Sequence, residues 1–212
     1  MTDYYETKVH PITKRMVLDA FKEIRNNGQA AVVDEVSLND YAKDLSGNLY
    51  KLWNRLTSGS YYPALVREKK IPKKGDGYRS FGIYNVEDRI AQQVVRKRIE
   101  YKIDPTFHSD SYGYRPGRHA HHAIDMATKR WFKNNWVLDL DVKAFFDTID
   151  HGLLMKAISR YTKEKWVLMN IDQWLKSGML RENGLVEFKA DRTMQGVEDF
   201  SFYHKKYYLY DE

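Results

Sequence analysis

Cysteine is missing from all 212 residues, so neither a disulfide framework nor a thiolate-held metal can shape this chain. Nowhere does the sequence approach the roughly 20 apolar residues that a membrane-spanning helix needs. The opening MTDYYETKVHP lacks the basic-then-apolar pattern of a secretory signal. These absences make the cytoplasm the expected location and leave no membrane partner. No Gly-Lys-Ser or Gly-Lys-Thr follows a glycine turn, which excludes a Walker-type phosphate loop. No serine, histidine and acid arrangement stands out for nucleophilic catalysis, and no internal repeat, low-complexity tract or flexible linker divides the chain.

What is present suits a folded protein. Hydrophobic residues make up 42% and charged residues 30%, enough apolar surface to bury a core. The net charge of +6 is concentrated. Between Arg67 and Lys102 stand eleven basic residues against five acids, an excess equal to that of the whole chain. A local basic surface on a packed element suits a polyanion such as RNA or DNA. A solvated helix face is the alternative that charge alone leaves open.

The hydrophobic spacing gives the elements. Thr13 caps a first helix whose Met16, Val17, Ala20, Phe21 and Ile24 share a face, and Gly28 closes it. Ser37 and Asp40 form a capping-box pattern for a second helix running through Leu38, Tyr41, Leu45, Leu49, Leu52 and Leu56. Tyr61–Val66 and Lys69–Ile71 read as strands, and Gly75-Asp76-Gly77 as the turn of a hairpin returning through Phe81. Helical spacing resumes from Val86 to before Pro105, then again from His119 to Phe132 after a loop rich in Gly, Pro, Ser and Tyr. Trp136–Val142 reads as a buried strand with acids on one face. Helices follow from Asp150 and from Thr162 to Leu175, then a hairpin turning at Asn183-Gly184. Helices mixed with hairpins predict an α+β architecture.

Two groups of residues carry chemistry. Asp139 and Asp141, two apart on a strand, project to one side, with Asp147 close behind. Carboxylates at the end of an apolar strand need a cation or a partner, and hard oxygen ligands suit Mg²⁺. Salt-bridged or helix-capping acids would satisfy the same pattern. Lys73 and Arg79 flank the glycine turn, where cations and backbone N–H groups can lie over phosphate oxygens, and a solvated basic hairpin is the plainer account. His119, His121 and His122 fit a surface helix start better than a zinc site.

In order, these pieces resemble the reverse transcriptases encoded by group II introns, from about Val9 to Gly196. Pro11-Ile12-Thr13-Lys14-Arg15 and Gly28-Gln29-Ala30-Ala31-Val32-Val33-Asp34 look like that family's N-terminal extension. Ile71-Pro72-Lys73-Lys74-Gly75-Asp76-Gly77-Tyr78-Arg79 through Ile83 resembles its first fingers motif. Asp88-Arg89-Ile90-Ala91-Gln92-Gln93 with Ser111-Tyr112-Gly113-Tyr114-Arg115-Pro116-Gly117-Arg118 is similar to its second. The acidic strand with Phe146-Asp147 resembles the third, which opens the palm, and Thr193-Met194-Gln195-Gly196 the fourth.

The resemblance implies a right-hand polymerase fold: a helical N-terminal extension over 1–60, fingers over 61–134, and a partial palm over 135–212. It implies that Asp141 is the first catalytic aspartate and holds two Mg²⁺ ions together with the carbonyl of Val142. It implies that Lys73 and Arg79 hold the incoming triphosphate, that Phe146 packs under its sugar, and that Gln195 lies beside it. Arg89, Arg115 and Arg118 would meet the RNA template. The implied partners are template or intron RNA, a DNA primer and deoxynucleoside triphosphates; the implied activity is RNA-directed DNA polymerisation.

The family's Tyr-x-Asp-Asp hairpin has no counterpart, since no Asp-Asp pair occurs in the sequence. After Gly196 the similarity fades, so residues 197–212 diverge. The expectation is a truncated chain that does not polymerise alone, with a non-catalytic, maturase-like RNA-binding remnant of a mobile element as the alternative.

Overall fold

The computed structural model describes residues 11–26, 36–72, 77–131, 133, 136–141 and 149–188, without the side chain of Arg79. Its first helix, α1 (Lys14–Asn26), starts where Thr13 Oγ1 accepts the Met16 N–H at 3.2 Å. The apolar stripe Val17, Ala20, Phe21 and Ile24 is buried, as its spacing predicts.

The second expected helix is two. α2 (Leu38–Lys43) carries the capping box: Ser37 Oγ accepts from the Asp40 N–H, and the Asp40 carboxylate accepts from the Ser37 N–H. Hydrogen bonds from Lys43 and Ser37 hold the Asp40 carboxyl down at about 2. Asp44 then leaves the helical region, and its side chain accepts the Gly47 N–H at 3.2 Å, starting α3 (Leu45–Ser58). A competing side-chain cap restarts the helix although the leucine spacing continues. Gly59, at φ 74, ends it in the left-handed region that glycine adopts without strain.

Tyr61–Leu65 is not part of a paired strand, a correction to the expected strand. The Ala64 N–H goes to the Asp88 carboxylate at 3.0 Å instead of a neighbouring strand. Pairing begins with β1 (Val66–Pro72), antiparallel to β2 (Tyr78–Ile83). Of the expected turn, Gly77 has φ 106, and residues 73–76 lie outside the described residues.

α4 (Val86–Ile103) is the central helix. Asn85 caps it by accepting the Asp88 N–H at 2.7 Å, and a 3₁₀ turn, Asp104–Thr106, ends it at Pro105. Apolar residues on several faces, among them Val86, Ile90, Ala91, Val94, Val95, Ile99 and Ile103, are buried. Helices α1 and α3 pack on it.

After α5 (Ala120–Trp131), residues 136–141 form neither helix nor paired strand. Trp136 is 91% exposed and Leu138 and Leu140 80% each. The expected buried strand is absent over these residues. Its alternation of apolar and acidic positions fits a pleat, but no described strand takes up its backbone groups, and a lone strand cannot satisfy them.

α6 (His151–Ile158) is capped by Asp150 and packs on α7 (Lys165–Leu175). β3 (Met179–Leu180) and β4 (Val186–Glu187) close the expected hairpin, with Gly184 at φ 81 in its turn. β3 runs parallel to β1, so the sheet order is β2-β1-β3-β4 and the helices between form the crossover that a parallel pair needs. No helix among the described residues is long and apolar enough to cross a membrane.

Candidate nucleic-acid interface

The basic stretch from Arg67 to Lys102 divides into two parts with different fates. On α4 the cations Arg96, Lys97, Arg98 and Lys102 are tied into ion pairs. Arg96 meets Glu100 at 3.2 Å, Lys97 meets Glu23 of α1, and Arg98 and Lys102 meet Glu164 at 2.9 and 3.5 Å. Arg55 of α3 pairs with Glu87 at the start of α4. Apart from the Arg96–Glu100 pair within α4, these contacts fasten helices and loops to one another, so these cations are ion-paired rather than simply solvated.

The β1–β2 hairpin is different. Arg67 and Lys69 are exposed, and Lys70 stands 4.0 Å from Glu182. The register sets Lys69 opposite Phe81 and Arg79 opposite Ile71. Lys73 and Lys74 belong to the turn outside the described residues. At its base the hairpin is clasped from the sheet side. Glu68, buried, accepts from Ser80 Oγ at 2.6 Å and from Arg181 Nη1 at 2.6 Å, and Arg181 also pairs with Glu187. Burial pushes the Glu68 carboxyl up, but the Ser80 and Arg181 donors hold it below its ordinary value. An open groove of about 850 Å³ beside this clasp is lined by Glu68, Lys70, Arg181, Glu182 and Glu187 among others.

Behind the hairpin lies a buried polar network. Tyr61 Oη donates to Asp88 Oδ1 at 2.6 Å and accepts from Trp174 Nε1 at 2.9 Å. Burial pushes the Asp88 carboxyl up to about 6, against the pull of the Tyr61 and Ala64 donors. Burial likewise pushes the Tyr61 hydroxyl up. No local pattern announces this network, because Tyr61 stands 27 residues from Asp88 and 113 from Trp174.

The loop before α5 gathers the second set of sequence-predicted residues. The Arg115 side chain is 7% exposed, and its guanidinium spends five N–H bonds on the loop. Nε donates to Asp104 Oδ1 at 2.7 Å. Nη1 donates to the carbonyls of His108 and Ser111, both at 3.0 Å, and Nη2 to the Asp104 carbonyl at 3.1 Å and Oδ2 at 3.3 Å. The Phe107 ring lies 5.3 Å from it. Arginine has five such donors, so none is left for a template phosphate in this arrangement. Arg118 donates to the Ser109 carbonyl and sits over the Tyr112 ring at 5.3 Å. Arg89 is half-buried near the start of α4. The histidine cluster is an exposed helix start, with the His119 and His122 rings stacked at 3.6 Å.

Asp139 and Asp141 are exposed on the segment before residue 142. Val142, Phe146, Asp147 and Gln195 lie outside the described residues. Among the described residues no three His, Asp or Glu side chains gather to hold a metal ion. Asp141 can supply one carboxylate, which by itself does not fit a two-metal centre.

Comparison with known proteins supplies the frame for these pieces. The family model described as "Reverse transcriptase (RNA-dependent DNA polymerase)" matches residues 71–198. Protein YkfC of Escherichia coli (strain K12) is 32% identical over 169 residues, 77% of this chain and 44% of that protein. Group II intron-encoded protein LtrA of Lactococcus lactis subsp. cremoris is 33% identical over 147 residues, 69% of this chain and 24% of LtrA. The chain thus spans less than half the length of either relative. A chain of the solved "Partial Cas6-RT-Cas1--Cas2 complex" shares the fold at TM-score 0.56 and 17% identity, over 91% of this chain and 32% of that one.

The α+β arrangement is therefore that of reverse transcriptase fingers and palm. The chain belongs to the reverse transcriptase family, in the group that includes the group II intron-encoded proteins.

Proposed function

We propose that this chain supplies the fingers and the first palm aspartate of an RNA-directed DNA polymerase of group II intron type. The observation that carries this is the β1–β2 hairpin, which leads into the family match at residue 71 and exposes Arg67 and Lys69, while Arg96, Lys97, Arg98 and Lys102 of α4 are held in ion pairs. In this reading Lys73 and Arg79 hold the triphosphate of the incoming deoxynucleotide, Phe146 packs under its sugar and Gln195 lies beside it. Asp141 and the Val142 carbonyl give the first share of a two-Mg²⁺ site. Bound Mg²⁺ would supply charge stabilisation at the transferring phosphate. Arg89 and Arg118 face the template, whereas Arg115 serves by shaping the loop. Residues 1–60 form the extension, 61–134 the fingers and 135–212 the palm portion. The partners are RNA template, DNA primer and deoxynucleoside triphosphates, and the location is the cytoplasm.

A second reading concerns these 212 residues acting alone. They contain no Asp-Asp pair, so carboxylates for the second metal are lacking and binding without transfer is expected. The test is to incubate the purified chain with an RNA template annealed to a DNA primer, deoxynucleotides and Mg²⁺. Binding that weakens steeply with salt, without extension, is expected. Extension would refute the need for further carboxylates, and absence of binding at low salt would refute the nucleic-acid reading itself.

A further inference from the structure

Tyr114 is the one non-glycine residue with positive φ among the described residues, at φ 55, and it is 56% exposed. The left-handed region is unfavourable for a residue with a bulky side chain, and it persists only where the surroundings impose it. Here they do. The side chain of the next residue, Arg115, is 7% exposed and commits all five guanidinium N–H bonds to the Asp104 carboxylate and the carbonyls of Asp104, His108 and Ser111. Pro116 follows with its ring-fixed backbone. The Tyr114 ring is thus an aromatic surface presented from a clamped loop, not the tip of a loose one. Two residues before it, Tyr112 carries the Arg118 guanidinium over its face at 5.3 Å.

We propose that Tyr114 is a stacking platform for an unpaired base of single-stranded RNA, and that Arg115 is the positioning residue that holds it. The proposal rests on the nucleic-acid reading above and deepens it. A ring fixed in advance loses little freedom when a base stacks on it, and every base offers a π-face. A protein anchor would sit in an apolar patch, whereas the neighbours here are Gly113, Arg115, Pro116 and Gly117. It also changes what Arg115 does: its charge orients the loop and touches no phosphate.

The test uses the 212-residue chain and a single-stranded RNA oligonucleotide carrying 2-aminopurine, followed by anisotropy across a salt series and by base fluorescence. Tyr114→Phe is expected to bind and quench as the unchanged chain does. Tyr114→Ala is expected to bind about ten-fold more weakly, without quenching. Its salt slope is unchanged, because no phosphate contact is lost. Tyr114→Gly removes the ring while relieving the backbone, so it gives the same comparison in a variant favoured to fold. Arg115→Lys keeps the charge but not the five-bond fork, and is expected to lose quenching with the salt slope kept. If the unchanged chain binds and the alanine and glycine variants bind and quench equally well, the stacking role is overturned and the nucleic-acid reading stands. If Arg115→Lys quenches normally, the positioning role is overturned. If the unchanged chain binds no RNA, both readings fall together.

Discussion

Replacing Tyr61 with phenylalanine removes a single oxygen from the interior, and two partners lose it. Asp88 loses a 2.6 Å donor and Trp174 Nε1 loses a 2.9 Å acceptor, in a place where all three residues are buried. A hydrogen bond to a charged group contributes ~1.5–3 kcal/mol and a neutral one ~1 kcal/mol, so Tyr61→Phe should cost about 3 kcal/mol. The cost should depend on pH. Asp88 titrates at about 6 in the folded chain against an ordinary 3.8, so between these values the folded state holds more protons than the unfolded one. Stability therefore falls as pH rises through that window and levels off above it. Tyr61 is a donor that favours the carboxylate. Without it the folded-state value climbs further, and the downward slope extends past about 6. Urea unfolding followed by far-UV circular dichroism should show a larger loss near pH ~8 than near pH ~5. A loss below ~1 kcal/mol, or one equal at both pH values, would refute this account of the network.

Arg181→Ala should destabilise the chain by about 2 kcal/mol in the same assay, because buried Glu68 keeps only the Ser80 donor. Glu68 has a folded-state value below its ordinary one, so it contributes stability above the unfolded value that is lost as pH falls through the folded one. The variant should therefore differ least from the unchanged chain in acid. Asn85→Ala should cost about 1 kcal/mol by removing the α4 cap, with Asn85→Ser restoring most of it. Equal stability of the alanine and serine variants would show that the cap contributes nothing.

Local pattern carried much of the fold, and the failures have physical causes. The α1 face, the β1–β2 and β3–β4 hairpins and the limits of α4 were legible because each depends on neighbours a few residues apart. The division between α2 and α3 was not, since the leucine spacing runs through Asp44 and only its side-chain cap restarts the helix. The unpaired Tyr61–Leu65 segment was missed because the group that takes the Ala64 N–H belongs to Asp88, 24 residues on. Trp174 reaches Tyr61 across 113 residues, beyond any local signal. The alternation over Trp136–Asp141 has the period of a strand, but period does not supply the partner strand that pairing needs. Arg115 shows the same limit within a site. Its motif was recognisable, yet a sequence shows that a donor is present and not where its bonds are spent.

Where nucleic acid meets the chain decides most directly between these roles. A template–primer carrying 4-thiouridine at successive template positions, photocrosslinked to the 212-residue chain and mapped by peptide mass, reads this out. Crosslinks on the β1–β2 hairpin, on the start of α4 about Arg89 and on the loop through Tyr112, Tyr114 and Arg118 are the predicted result. Crosslinks concentrated on α1, α3 or α7 with none on those three segments would contradict it.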